Sequence, residues 1–208
     1  MELWKLFVVA AVAYLCGSFS SSVAVSKVFL KKDLRDYGSG NAGLTNSYRL
    51  MGGKLTLLVL LGDVLKAVIG VGIGKWLLGP IGSLIAGAFT IIGHMFPVFF
   101  GFRGGKGVLV GATMLFLFDW RVFLVAFSIF VASVYLTRYV SLGSILGAIS
   151  FPIMTFFLYR ELGLTLLAAA MGAAVVHAHR GNIGRIVSGT ERRFTFGGKH
   201  ELTDNRKE

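Results

Sequence analysis

Charged residues are scarce in this sequence of 208 residues, and cysteine is nearly absent. Charged side chains make up 15% of the chain, against about 25% in a typical soluble domain. Cys16 is the only cysteine, which excludes a disulfide-stapled scaffold. Apolar residues at 55% exclude a disordered chain, and they argue against a soluble nucleic-acid-binding protein in spite of the net charge of +11. What remains is a small polytopic membrane protein with basic connecting loops.

Long apolar runs predict seven membrane-spanning helices, because a helix needs about 20 mostly apolar residues to cross the bilayer. The first run is too long for a cleaved signal peptide, and we expect it to act as an anchor. Small residues four apart, such as Gly70 and Gly74, predict close packing between helices. The predicted spans are residues 3–25, 55–78, 81–100, 108–118, 122–136, 142–158 and 162–178.

The positions of lysine and arginine predict the orientation of these spans. With seven spans, 16 of the 21 basic residues fall on one face, which the positive-inside rule places in the cytoplasm. Six spans would put the basic segments 26–54 and 179–208 on opposite faces, which the same rule rejects. We therefore expect an all-α membrane protein with its N-terminus outside and its C-terminus inside. Residues 1–208 are expected to form a single domain, with residues 192–208 as a loosely ordered tail.

Two charged residues fall inside a predicted span. Asp63 and Lys66 are three apart, so they share a helix face. Intramembrane charges are often functional, and an internal ion pair that braces the helices is an equally good interpretation.

The first of three glycine-rich polar segments covers residues 38–49. Its glycines precede Asn41, a predicted helix cap, and this arrangement predicts backbone N–H groups that are free to bind an anion. Apolar residues from Leu44 recur at helical spacing and predict a short helix at the membrane surface. Thr45 and Arg49 would lie on neighbouring faces of that helix. The segment is typical of a phosphate site, and a flexible loop with an ordinary interfacial arginine is the alternative.

The second segment covers residues 93–107, where three glycines frame Lys106 before a predicted helix. A glycine-rich loop with a lysine before a helix is also found in the P-loop. The P-loop motif itself is missing, since no Ser or Thr follows the lysine and no strand precedes the loop. The glycine frame favours Lys106 as an anion ligand over a lysine that only sets orientation. His94 near the start of this segment fits a buried, hydrogen-bonded histidine as well as a catalytic one.

The third segment covers residues 177–191, at the end of the last predicted span. His179 and Asn182 are three apart, and we expect both to point into one cavity from a single helical turn. Two histidines two apart, His177 and His179, diverge on a helix and lack a carboxylate or cysteine at ligand spacing. The sequence therefore predicts no metal site.

All three segments fall on the predicted cytoplasmic face, and each combines glycine, a basic side chain and amides or hydroxyls. We expect them to converge on an anionic ligand. A transporter or channel for phosphate or a small organic anion is one alternative, and a scaffold for anionic lipid headgroups is another. The clustering of polar residues on one side argues against a transporter, whose sites lie at the midplane.

Taken in order, the three segments resemble the motifs of the membrane-bound acyl-phosphate:glycerol-3-phosphate acyltransferases, the PlsY family. That family shows Gly-Ser-Gly-Asn-x-Gly-x-Thr-Asn-x-x-Arg, then Gly-His-x-x-Pro with Phe-x-Gly-Gly-Lys-Gly, then His-x-x-Asn-Ile-x-Arg with Gly-x-Glu. The corresponding residues are 38–49, 93–107 and 179–191, so the resemblance covers almost the whole chain. Ala42 and Leu44 stand where the family has Pro and Ala.

The resemblance implies an enzyme that moves an acyl group from acyl phosphate to the 1-hydroxyl of glycerol 3-phosphate, the first acylation step of bacterial phospholipid synthesis. It implies a monomer in the bacterial inner membrane that uses no cofactor, metal or nucleic acid. The implied catalytic residues are His179, Asn182, Lys106 and Ser39. The implied phosphate-binding residues are Ser39, Gly40, Asn41, Thr45, Asn46, Arg49, Gly104, Gly105, Lys106 and Gly107. The implied supporting residues are His94, Arg103, His177, Arg185 and Glu191.

The motifs also bear on the mechanism. The His-x-x-x-x-Asp pair of other acyltransferases and the serine elbow of hydrolases are both missing. Cys16 lies in the first predicted span, away from the basic segments, and is a poor nucleophile candidate. A phosphate monoester has a second pKa of about 6, so glycerol 3-phosphate can act as its own base. His179 is the rival base, since histidine ordinarily titrates near pH 6.5.

Overall fold

The computed structural model describes residues 2–195 and residue 202. Within these residues the chain contains eight α-helices, two short 3₁₀ helices and no strand, which confirms the predicted all-helical fold. The α-helices are α1 (Leu3–Ser18), α2 (Ser21–Leu30), α3 (Leu44–Met95), α4 (Val108–Phe118), α5 (Trp120–Thr137), α6 (Val140–Tyr159), α7 (Leu162–Ala178) and α8 (Arg180–Val187). The 3₁₀ helices are Leu34–Asp36 and Val98–Phe100.

The chain divides into two compact units. The first comprises residues 1–117 and 197–208, and the second comprises residues 118–196. The single domain expected from the sequence stays a prediction. Most of the tail expected to be loosely ordered lies outside the described residues. Its described beginning has no helix, and the Phe194 N–H donates to the Arg138 carbonyl at 2.8 Å.

The first predicted span, residues 3–25, lies within the apolar helical segment Leu3–Leu30, which has a break in its middle. α1 ends at Ser18 and α2 begins at Ser21, because Phe19 and Ser20 adopt extended backbone conformations. The break exposes the Phe19 carbonyl, which accepts a hydrogen bond from the Lys66 ammonium at 2.8 Å.

Two glycines break the long helix α3. Gly52 has φ 75° and Gly79 has φ 65°, in the region that glycine adopts without strain, and Pro80 follows the second break. The straight sections are residues 44–51, 53–78 and 80–95. The first corresponds to the predicted short helix, and the other two correspond to the predicted spans 55–78 and 81–100.

Within the described residues, four helical segments are long and apolar enough to cross a membrane. The number rises to five if α7 and α8, which meet at a bend of 57°, form one span. The shorter apolar helix α4 coincides with the predicted span 108–118. The total of seven spans stays a prediction.

Close backbone approaches hold the first unit together, as the spacing of small residues predicts. α1 packs along α3, and a Cβ on Gly17 or on Gly93 would overlap a backbone carbonyl of the other helix. A Cβ on Gly74 would likewise overlap the carbonyl of Gly82, where two sections of α3 pack against each other. Small residues permit these approaches in lipid, where dispersion contacts drive helix association.

In the second unit, α6 packs against both α5 and α7. Asp119 caps α5 by accepting a hydrogen bond from the Arg121 N–H at 2.8 Å, and the Tyr159 hydroxyl donates to the same carboxylate at 2.6 Å. The hydrogen bond from the Arg121 side chain holds the pKa of Asp119 well below its usual range. This carboxylate therefore ties the start of α5 to the end of α6.

Candidate active site

The first glycine-rich segment is held in shape by Asn46. Its buried side chain accepts the Ser39 N–H at 3.1 Å and donates to the carbonyls of Leu34 at 3.5 Å and Tyr37 at 3.4 Å. These bonds fold the loop back onto the start of α3. The structure thus gives Asn46 a role in shaping the loop, whereas Ser39 is exposed on it.

The expectation of free amides in this segment was wrong for two residues. The Ser39 N–H is bonded to Asn46, and the Gly40 N–H donates to the Tyr37 carbonyl at 3.0 Å. The helix begins later than the sequence suggests, with Gly43 at the N-cap in place of Asn41. Thr45 and Arg49 then lie four apart on the helical section 44–51, as predicted.

The second segment turns back beneath the end of α3. The Gly104 N–H donates to the Met95 carbonyl at 3.2 Å, and the Gly105 N–H donates to the His94 carbonyl at 3.0 Å. These two amides cap α3, so they are not directed at an anion as the glycine frame suggests. Glycine is needed here for a different reason, since a Cβ on Gly104 would overlap the His94 carbonyl. Lys106 and Gly107 follow and lead into α4.

The first two segments meet at Gly105. A Cβ on this residue would lie 2.8 Å from the Ala42 carbonyl and would overlap Nε2 of His94. Gly105 therefore brings the loop that carries Lys106 against the loop that precedes Thr45 and Arg49. This part of the convergence predicted from the sequence is present within the first unit.

A buried charge network lies behind this contact. Nζ of Lys66 is 2.8 Å from Oδ1 of Asp63 and 2.9 Å from Nδ1 of His94. The structure confirms the predicted internal ion pair. Because an ammonium only donates, Nδ1 accepts and the neutral imidazole carries its proton on Nε2, the edge that faces Gly105. This arrangement favours the structural interpretation of His94.

Arg35 and Asp33 connect the two segments, although both lie outside the three glycine-rich segments. The Arg35 guanidinium donates to the Phe100 carbonyl at 2.6 Å and to the Arg103 carbonyl at 2.9 Å. It also donates to both carboxylate oxygens of Asp33. The hydrogen bond from Arg35 holds the pKa of Asp33 well below its usual range, and the same bond raises the pKa of Arg35. Arg103 itself is exposed and contributes its carbonyl.

The third segment belongs to the second unit. α7 ends at Ala178 and α8 begins at Arg180, so His179 lies at the bend and Asn182 lies on the separate helix α8. The Ile183 N–H donates to the His179 carbonyl at 2.9 Å, so His179 and Asn182 share one helical turn as predicted, although this turn begins α8 and lies beyond the end of α7. Nδ1 of His179 is 2.8 Å from the Val175 carbonyl, which places the basic lone pair of a neutral ring on Nε2. His177 is exposed.

Glu191 organises the third segment. Its Oε1 accepts from the Ser141 hydroxyl at 2.7 Å and from Nδ2 of Asn182 at 2.6 Å, and its Oε2 accepts from Nε of Arg185 at 2.8 Å. Burial alone would raise the pKa of Glu191, but the hydrogen bonds from Ser141, Asn182 and Arg185 outweigh it and lower the pKa. The carboxylate thus fastens α8 to α6. The supporting role of Arg185 and Glu191 in the site stays a prediction.

A family model described as glycerol-3-phosphate acyltransferase matches residues 7–189. The chain belongs to this family. The glycerol-3-phosphate acyltransferase of Thermoanaerobacter pseudethanolicus is 40% identical over 182 residues, with 88% of this chain and 92% of that protein covered. Its counterpart in Fusobacterium nucleatum is 39% identical over 191 residues, with 91% and 98% covered.

A crystal structure of PlsY, described as an integral membrane glycerol 3-phosphate acyltransferase in its glycerol 3-phosphate form, has a TM-score of 0.82 to this chain. The two are 35% identical, and the match covers 91% of this chain and 96% of PlsY. The predicted family is confirmed. As a member of the glycerol-3-phosphate acyltransferase family, the protein is an integral membrane acyltransferase, which decides against the transporter and scaffold alternatives.

Proposed function

We propose that this acyltransferase moves the acyl group of an acyl phosphate to the 1-hydroxyl of glycerol 3-phosphate. The products are lysophosphatidic acid and inorganic phosphate, in the first acylation step of bacterial phospholipid synthesis. The related PlsY has been crystallised in a glycerol 3-phosphate form and in a lysophosphatidic acid form, which correspond to a substrate and a product of this reaction. The protein acts as a monomer in the inner membrane, with its basic segments on the cytoplasmic side.

The observation that carries the proposal is the contact between the two basic segments at Gly105. Ser39 and Arg49 belong to the first segment and Lys106 to the second. Both substrates carry phosphate, so the reaction needs more than one cationic side chain. A guanidinium binds phosphate through two parallel hydrogen bonds, and an ammonium adds a compact positive charge.

The chemistry needs positioning more than activation, because acyl phosphate is a mixed anhydride with a good leaving group. The 1-hydroxyl oxygen attacks the acyl carbonyl carbon, and the bond between that carbon and the phosphate oxygen breaks. Phosphate leaves with the bonding electrons. The hydroxyl proton passes to the phosphate dianion of glycerol 3-phosphate, whose second pKa is about 6. Arg49 and Lys106 neutralise the phosphate charge of both substrates, so they help to bind glycerol 3-phosphate and also stabilise the charge that develops on the leaving phosphate.

His179 is the alternative base in this proposal. The hydrogen bond between Nδ1 and the Val175 carbonyl orients the ring, so that Nε2 would take the proton. In the substrate-assisted mechanism the same bond makes His179 a positioning residue. Asn182, held by Glu191, is proposed to position substrate from the same bend.

Two measurements on the purified protein test the proposal. Phosphate release from an acyl phosphate must require glycerol 3-phosphate and yield lysophosphatidic acid, and its absence would refute the proposed function. The acidic limb of the pH–rate profile is expected at about pH 6 and should move upward with a phosphonate analogue of higher second pKa. If the acidic limb stays at the same pH with the analogue, and if His179→Ala is inactive but still binds substrate, then His179 is the base.

A further inference from the structure

The Arg35 side chain donates four hydrogen bonds, and its acceptors lie in two different parts of the chain. Nε and Nη2 donate to the two carboxylate oxygens of Asp33, at 2.9 Å and 2.8 Å. Both hydrogens of Nη1 point at backbone carbonyls, those of Phe100 and Arg103. These carbonyls belong to the turn that immediately precedes Gly104. Arg35 itself lies three residues before the first glycine-rich segment.

The second unit contains a matched pair with the same local pattern. Asp119 and Arg121 repeat the Asp-x-Arg sequence, the cap of the backbone N–H and the bonds from the guanidinium to both carboxylate oxygens. The Arg121 side chain nevertheless remains 51% exposed, whereas that of Arg35 is only 12% exposed. Capping a helix therefore does not require burial of the arginine. Arg35 differs from Arg121 in donating two hydrogen bonds to distant backbone carbonyls, and these contacts account for its burial.

We propose that Arg35 is a positioning residue, which holds the segment that carries Lys106 at a set distance from the segment that carries Ser39 and Arg49. The inference rests on the proposed function, since it assigns both segments to the binding of substrate phosphate. A planar guanidinium donates in two directions at once, with one edge anchored on Asp33 and the other on the turn. The single ammonium of a lysine cannot reproduce both sets of bonds.

The experiment compares Arg35→Lys with Arg121→Lys in phosphate-release assays at varied glycerol 3-phosphate concentrations. Displacing the Lys106 segment is expected to raise the KM for glycerol 3-phosphate at least about tenfold in Arg35→Lys, and to lower kcat as well. The KM of Arg121→Lys should stay within about twofold of wild type, because Arg121 bonds to Asp119, which belongs to neither segment. A purely structural role would lower the folded fraction and the maximal rate of Arg35→Lys but leave KM unchanged.

Asp33→Asn supplies a second, milder variant that keeps the guanidinium and weakens its anchor. Its KM is expected to rise by less than that of Arg35→Lys, and this variant decides the question if Arg35→Lys fails to fold. A KM equal to that of Arg121→Lys in both variants, or in Asp33→Asn alone if only it folds, would overturn the inference. Wild-type protein without phosphate release would refute the proposed function, and the two failures are thus distinguishable.

Discussion

Gly104 and Gly105 matter because they lack a side chain. Both amides cap the last turn of α3, so they add little to the binding of an anion. The absence of a Cβ is what lets the loop pack against His94 and the Ala42 carbonyl. At the scale of single residues, the cationic contribution therefore comes from side chains, above all Arg49 and Lys106.

Loss of the positive side chain of Arg49 or Lys106 should greatly reduce turnover. Arg49→Ala and Lys106→Ala each delete a charge-assisted contact to phosphate, worth about 1.5–3 kcal/mol before any effect on the transition state. We expect kcat/KM to fall by at least about tenfold, and Arg49→Lys to remain weak because an ammonium cannot bind phosphate in two places. Steady-state phosphate release measures the effect. Lys54→Ala, at an exposed lysine on the same helix, serves as the control, and wild-type kinetics in either alanine variant would contradict the assignment.

The buried network around Lys66 makes a separate prediction about stability. Lys66→Met leaves the Asp63 carboxylate buried without its cation and should lower the free energy of unfolding by about 3–5 kcal/mol. Adding Asp63→Asn removes the stranded charge, so the double variant should recover part of the loss. Equilibrium unfolding in detergent measures the free energy of unfolding of the single and the double variant. A single variant as stable as wild type would show that the network adds nothing.

At the level of the helices, the positions of the polar segments depend on where the helices are interrupted as well as on the helices themselves. Gly52 ends the short section that carries Arg49, and the gap between α1 and α2 presents the Phe19 carbonyl to Lys66. Gly79 and Pro80 turn α3 back, so that Gly74 meets Gly82. The two breaks in α3 occur at glycines, the second followed by proline, and these residue types interrupt helices for known reasons.

The turn in α3 offers a matched pair of glycines for a test. Gly74→Ala would drive a methyl group into the Gly82 carbonyl and should destabilise the protein by about 1–3 kcal/mol. Gly72 lies on the same section, and a Cβ there has no neighbour within 4 Å among the described residues. Gly72→Ala should therefore be neutral or slightly stabilising. The midpoints of thermal unfolding of the two variants test this prediction. Equal midpoints for Gly74→Ala and Gly72→Ala would contradict the close packing at Gly74.

At the scale of the whole molecule, the uneven distribution of basic residues predicts the orientation in the membrane. With seven spans, residues 26–54 and 179–208 face the cytoplasm. In a Cys16→Ser background, a cysteine at Ser188 should be protected from an impermeant thiol reagent in intact cells. A cysteine at Arg160 should be labelled. Labelling of the Ser188 position from outside would refute the orientation and the cytoplasmic placement of the basic segments.

The sequence is enough to place most of the helices, because hydropathy and helix-breaking residues act over short stretches of chain, although it does not show the breaks at Ser20 and His179. It also determined the family, since the three motifs are read directly from residues 38–49, 93–107 and 179–191. The start of the helix at Leu44, its end at Met95 and the pairing of Asp63 with Lys66 all follow from such local patterns, within a few residues.

The partners of the polar groups, by contrast, depend on contacts between distant parts of the chain. Arg35 reaches a carbonyl 65 positions away, and Lys66 reaches partners 28 and 47 positions away. The amides of Gly104 and Gly105 are engaged by carbonyls that the turn brings back to them. A local pattern shows that a residue can donate or accept a hydrogen bond, but it does not specify which group meets it. That choice is made when distant segments pack, because a buried polar group without a partner costs free energy.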